Sequence, residues 1–186
     1  RRQRQMCIRD RIFSVAGLLP PGQALITRRP FYAPHHTVTQ AALIGGGSGI
    51  PRPGMVSLAH RGVLFLDELP EFRKNVLDGM RQPMEERKVQ IARSAGMVTY
   101  PSDFILVAAM NPCPCGYYPD RNKCRCTQPQ IEKYLGKISG PILDRIDLCV
   151  ELHPVDILHL QKTKTEKSSE DMKRQILHAS CRLYTS

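Results

Sequence analysis

Two adjacent carboxylates, Asp67 and Glu68, close the apolar run Gly62-Val63-Leu64-Phe65-Leu66, and Leu69-Pro70 follow at once. Four large apolar residues between Arg61-Gly62 and this end suit a strand buried on both faces, as in a parallel α/β sheet. Ending the strand in Asp-Glu sets two charges at the carboxyl edge of the sheet, where open α/β folds bind ligands. An Asp there can hold Mg²⁺, and a Glu can orient or polarise an attacking water, the pairing that phosphoryl transfer needs. A core strand with a solvated acidic end fits the same run equally well. A second apolar run, Phe104–Met110, stops at Asn111-Pro112. Side by side, the two strands would bring Asp67, Glu68 and Asn111 to one edge.

Cys113, Cys115, Cys124 and Cys126 form a C-x-C-x₈-C-x-C pattern within one loop. Four thiolates this close in sequence could close a tetrahedral Zn²⁺ site, with Gly116, Pro119 and Asp120 turning the chain back. The usual knuckle spacing is C-x₂-C, so free thiols are the alternative. Cys149 reads as core. His35-His36 read as a polar strand end, since no third ligand can be placed near them.

The ends are read separately from the body. Met6-Cys7-Ile8-Arg9-Asp10-Arg11 is what a common sequencing adapter encodes, and Cys181-Arg182-Leu183-Tyr184-Thr185-Ser186 lies one base from its reverse strand. Residues 1–11 and 181–186 are therefore expected to be adapter-derived scars on a piece of a longer gene. A natural basic N-terminal arm is the alternative. The first eleven residues hold five Arg and one Asp, and the last six hold Arg182. Setting them aside lowers the formal net charge from +10 to +5. A charge of that size permits a nucleotide or nucleic acid partner without demanding one. No apolar run is long enough to span a membrane, and no signal peptide is expected, so a cytoplasmic protein is the default expectation.

The elements that must position these residues alternate between strand and helix. Ala24–Thr27 and Pro30–Ala33 read as strand pieces, and Thr37 as the cap of a short helix over Val38–Leu43. Gly45 through Gly54 reads as an inserted hairpin and lacks the Gly-Lys-Ser/Thr of a phosphate-binding loop. Phe72–Gln82 reads as an amphipathic helix ended by Pro83. Lys88–Ala92 and Met97–Tyr100 flank a hairpin turn, a helix is expected over Gln128–Leu135, and Leu148–Leu152 reads as a third strand. Ser168 caps a last helical stretch to about Ala179. The alternation predicts an α/β fold with a mainly parallel sheet.

At this point the chain resembles an AAA+ ATPase of the magnesium-chelatase-like branch, most closely the ComM/YifB family. The resemblance is carried by Arg29-Pro30-Phe31, Ala33-Pro34-His35-His36-Thr37, Gly45-Gly46-Gly47-Ser48-Gly49, Ser57-Leu58-Ala59-His60 and Gly62 through Phe72. It continues in Ala108-Ala109-Met110-Asn111-Pro112-Cys113-Pro114-Cys115-Gly116 and Ser139 through Asp147. The fold it implies is a P-loop NTPase AAA+ core over residues 12–153 and the start of a C-terminal helical lid over 154–180. In that core the first strand, the Walker A loop and most of the lid are missing.

The resemblance implies roles for individual residues. Asp67 matches the Walker B Asp for Mg²⁺, Glu68 the catalytic Glu, and Asn111 sensor 1 beside the water and γ-phosphate. Arg145 matches the arginine finger lent to a neighbouring subunit's ATP, where a planar fork can neutralise developing charge. An ordinary pair with Asp144 or Asp147 is the alternative for Arg145. The hairpin around Arg93 and the insertion at about 44–58 match elements that line a ring's pore, which makes Arg93 the first candidate for a DNA phosphate contact. A solvated Arg on a turn is its alternative.

The implied function is an ATP-driven, ring-forming motor, a hexamer, that remodels DNA or drives branch migration. The ATPase subunit of a magnesium chelatase is the alternative within enzymes. A non-catalytic interaction module is the alternative of another class. Since no Gly-x-x-x-x-Gly-Lys-Ser/Thr occurs in the 186 residues, this chain alone is expected to be inactive as an ATP hydrolase.

Overall fold

The computed structural model describes residues 2–19, 26, 28–47, 51–93, 96–152 and 168–184. Two compact units divide the chain, Arg1–Asp147 and Leu148–Ser186.

The first unit is organised on a three-stranded parallel sheet, order β1 (Phe31–Tyr32), β4 (Val63–Leu66), β7 (Ile105–Ala108). Before and between these strands come α1 (Arg2–Ala16), α2 (Gln40–Leu43), and the β2 (Gly45–Gly46) and β3 (Arg52–Pro53) ribbon. α3 (Met55–Leu58), α4 (Lys74–Gly79), α5 (Arg81–Glu86), and the hairpin β5 (Lys88–Arg93) with β6 (Gly96–Pro101) complete that stretch. α6 (Gln128–Leu135) and α7 (Gly140–Leu143) follow the sheet. The expected mainly parallel α/β sheet is the one observed.

Leu64 and Leu66 point into the core, where Val56, Val76, Met80 and Val89 close around them. Gly62 allows β1 to reach β4: a Cβ there would stand 2.0 Å from the Pro30 carbonyl oxygen, which accepts the Val63 N–H at 2.9 Å. The two hairpins pack on each other, because the Tyr100 hydroxyl donates to the Pro51 carbonyl (2.6 Å) and a Cβ at Gly45 would strike Ile91.

Several expectations are corrected. β4 and β7 are not buried on both faces: Val63 and Phe65 are half-buried, while Ile105 and Val107 are exposed. A continuous apolar run does not say how many layers cover it. Phe72–Gln82 is not one helix. The chain turns at Gly79-Met80, and Pro83 lies inside α5, in the first turn, where a missing N–H leaves no helical bond unmade. The cap of α2 is Thr39 rather than Thr37, its hydroxyl accepting from Ala42 N–H at 3.2 Å.

Ile26 is not in a strand, and residues 24, 25 and 27 lie outside the described ones. α1 runs without a break through the boundary expected at 11/12. Within it the Arg9 guanidinium donates to the Ile26 carbonyl, and Asp10 accepts the Ile26 N–H at 2.9 Å.

In the second unit Leu148–Leu152 is not a strand. Leu148, Val150 and Leu152 are largely exposed, and no described residue pairs with their backbone, which a strand requires. Cys149 is exposed, not core. The Ser168 cap forms as read, its hydroxyl accepting from Asp171 N–H (3.1 Å), but α8 (Ser169–Tyr184) runs past Ala179.

Candidate functional site

Parallel pairing of β4 with β7, Leu66 opposite Ala108, sends both strands out of the sheet at the same edge. The pairing continues beyond the strands, with Ala109 N–H donating to Leu66 and Leu69 N–H to Ala109 (2.9 and 3.0 Å). Asp67 and Glu68 therefore leave the sheet beside Ala109, two residues before Asn111. All three side chains are exposed.

Each carboxylate is held differently. Asp67 Oδ1 accepts the Glu68 N–H at 2.9 Å, which leaves Oδ2 for another ligand. Glu68 sits in the left-handed region (φ 52°, ψ 47°), uncommon for a residue with a side chain and a recurrent feature of functional sites. The chain then turns into a 3₁₀ segment, Leu69–Glu71, which aims Glu68 away from the strand. Its Oε2 lies 3.1 Å from His36 Nδ1.

His36 is the site residue that sequence reasoning missed. β1 pairs with β4 at a constant offset, Phe31 with Val63 and Tyr32 with Leu64. Both chains then leave the sheet, and the turn after β1 meets the turn after β4 where His36 lies beside Glu68. Phe72 meets the His36 ring edge-on at 6.4 Å, and His35 lies against it at 4.0 Å. The His35-His36 pair does not end a strand, since β1 stops at Tyr32 and His36 lies in the turn that follows, where its ring meets the carboxylate.

Arg145 follows α7 in the same unit and is half-buried. Its guanidinium pairs with Glu85 of α5 and donates to the Pro141 carbonyl, and neither Asp144 nor Asp147 is its partner. Its Nε is buried without a hydrogen bond. Arg93 is the last residue of β5, opposite Gly96, next to a hairpin tip whose residues lie outside the described ones.

The four loop cysteines converge, their sulfurs all within 4.8 Å of one another. Burial pushes the Cys113 thiol up. Hydrogen bonds from the Tyr118 backbone and from Cys115 and Cys124 outweigh it and bring Cys113 down to about 6. At Cys126 the Cys115 backbone pulls downward, but the Cys115 thiol, burial and Cys113 together push it up to about 11.

Comparison with known proteins gives this geometry its family. The family model described as "Magnesium chelatase, subunit ChlI" matches residues 2–160. An uncharacterized protein of Mycobacterium tuberculosis is 54% identical over 142 residues, 76% of this chain and 28% of that protein. Competence protein ComM of Haemophilus influenzae is 50% identical over 136 residues, 73% of this chain and 26% of ComM. YifB of Escherichia coli is 48% identical over 154 residues, 82% of this chain and 30% of YifB. The chain thus spans less than a third of the length of these relatives. A match over most of its residues, on a parallel sheet with acidic and amide side chains at one edge, shows that the chain belongs to the magnesium chelatase ChlI family, an AAA+ ATPase-like family, and to its ComM/YifB-like group.

Proposed function

We propose that this chain is part of a Mg²⁺-dependent ATP hydrolase, a ring-forming, hexameric motor that remodels DNA or drives branch migration. The reading is carried by the shared edge of β4 and β7, where Asp67, Glu68 and Asn111 emerge together. An exposed carboxylate with one oxygen committed to backbone and one uncommitted suits a hard cation, so Asp67 would hold Mg²⁺. Bound there, Mg²⁺ neutralises charge on phosphate oxygens.

Glu68 takes a proton from the attacking water, and His36 fixes the direction from which it does so. The Asn111 amide donates to the water or to the γ-phosphate. Arg145 serves the ATP of the neighbouring subunit, for which it has to leave Glu85. Arg93, at a hairpin end, meets DNA phosphates, a contact that weakens with salt and reads no sequence. Phosphate anchoring needs a Gly-x-x-x-x-Gly-Lys-Ser/Thr loop, which the 186 residues do not contain, so this chain by itself neither binds ATP tightly nor hydrolyses it. Work inside a cytoplasmic compartment suits such a motor.

The family's name favours a second reading, the ATPase subunit of a magnesium chelatase. It uses the same hydrolytic residues and differs in what stimulates them. Glu68→Gln in the full-length protein tests the shared part: ATP binding stays and turnover stops, because an amide is a far weaker base. Substantial residual turnover removes Glu68 from this role. Stimulation of the wild-type ATPase by DNA, and not by a porphyrin-loaded partner, separates the two readings.

A further inference from the structure

We infer that Cys113, Cys115, Cys124 and Cys126 form a closed four-thiolate Zn²⁺ site that holds the loop between β7 and α6 in shape. The distances fit. A Zn–S bond of about 2.3 Å with tetrahedral angles sets neighbouring sulfurs roughly 3.8 Å apart. Here Cys113 and Cys124 are 3.8 Å apart, Cys115 and Cys124 3.6 Å, and Cys113 and Cys115 3.3 Å. Each is far longer than the roughly 2.05 Å of a disulfide, and all four thiols are free.

Turns and exposed polar contacts are all that otherwise hold the loop. From 109 to 127 it contains no helix or strand, an unusual length for an ordered connection. The apolar centre it shares with α6 is Cys113, Cys124 and Ile131, with Tyr118, Cys126 and Leu135 packed around them. Two of its three buried members are the thiols themselves, so a metal has to supply the cross-link that apolar packing does not. Two C-x-C pairs are brought face to face by turns in which Gly116 N–H donates to Cys113 and Cys124 N–H to Asp120 (3.0 and 2.7 Å).

Charge points the same way. On loading, each sulfur gives a lone pair to Zn²⁺ and the thiols still protonated release their protons to solvent, leaving a centre of net charge −2. Arg121, Lys123 and Arg125 lie within this loop, and Arg121 donates to the Cys126 carbonyl at 3.3 Å. The arrangement also bears on the sheet edge: a Cβ at Gly116 would be 3.9 Å from Asn111 Cγ, so the loop lies against that amide.

The test is metal content of the purified full-length protein, followed by Co²⁺ substitution. Stoichiometric zinc, and cobalt spectra with the strong thiolate charge-transfer and tetrahedral d–d bands, are expected. Cys113→Ser with Cys124→Ser loses the metal, whereas Cys149→Ser, at an exposed thiol outside the loop, keeps it. Should the double variant not fold, Cys126→Ser is expected to lower zinc affinity at least ten-fold. Protein made with zinc in the medium that holds none, gives no cobalt–thiolate spectrum and reacts with thiol reagent equally fast with or without added zinc overturns the site. Disulfides among these cysteines under reducing conditions overturn it as well.

Discussion

His36 Nδ1 lies 3.1 Å from Glu68 Oε2, joining the turn after β1 to the turn after β4. The two residues lie in the turns that follow two paired parallel strands, and the contact fixes a long side chain that otherwise swings in solvent. In the full-length protein His36→Ala is expected to lower kcat on the order of ten- to a hundred-fold through misplacement of Glu68, with KM little changed. His35→Ala removes a ring packed on His36 but not the contact to Glu68, and is expected to have a clearly smaller effect. Steady-state kinetics check this, and equal effects of the two substitutions would remove the positioning role.

Gly62→Ala is expected to separate β1 from β4. The new methyl would overlap backbone, which cannot rotate away as a side chain can. A loss of about 3 kcal/mol, visible as a lower urea midpoint, follows from overpacking of this kind. An unchanged midpoint would mean that β1 contributes little to the fold.

Arg145→Ala in the full-length protein is expected to abolish turnover, by roughly 10³-fold or more, while nucleotide binding persists. Mixed with the Glu68→Gln protein it should regain some hydrolysis, since a junction can then pair an intact Glu68 with an intact Arg145. Glu85→Gln releases the guanidinium from its partner and should leave turnover intact. If Arg145→Ala and Glu85→Gln instead lower the melting temperature together and spare turnover, the pair is structural.

His60 gives a pH dependence. Burial, then the nearby Arg61, lowers its pKa, with Asp103 opposing and Arg9 adding to the fall. Its Nδ1 accepts the Asp103 N–H at 3.1 Å, so the folded chain favours the neutral ring. The unfolded chain binds the proton more readily, so stability is full above the ordinary His value of about 6.5 and is lost as pH falls from there through the lower folded value. Urea melts at pH 8 and pH 5.5 check this. His60→Gln should flatten the difference, and an equal slope in both proteins would assign it elsewhere.

The sequence made the local features legible and the long-range ones much less so. The hairpin around Arg93, the helix over Gln128–Leu135 and the two apolar strands that stop short of Asp67-Glu68 and Asn111 each follow from patterns a few residues long. His36 beside Glu68 and Arg145 beside Glu85 depend on strand register and helix packing, which no local spacing encodes. Leu148–Leu152 misled for the opposite reason: its side chains alternate like a strand's, yet its backbone has no described partner. Pro83 misled because proline breaks helices in their interior and is tolerated in their first turn.

The left-handed backbone of Glu68 sets two selective pressures against each other at one codon. Any residue with a Cβ holds that conformation at a cost of roughly 1–2 kcal/mol, which glycine avoids and asparagine partly avoids. A library at position 68 sorted for thermal resistance alone should therefore drift toward Gly or Asn and discard the carboxylate. Engineering this protein for robustness has to hold that position fixed, and its relatives can be sorted by whether they kept the acid or took the relaxed turn.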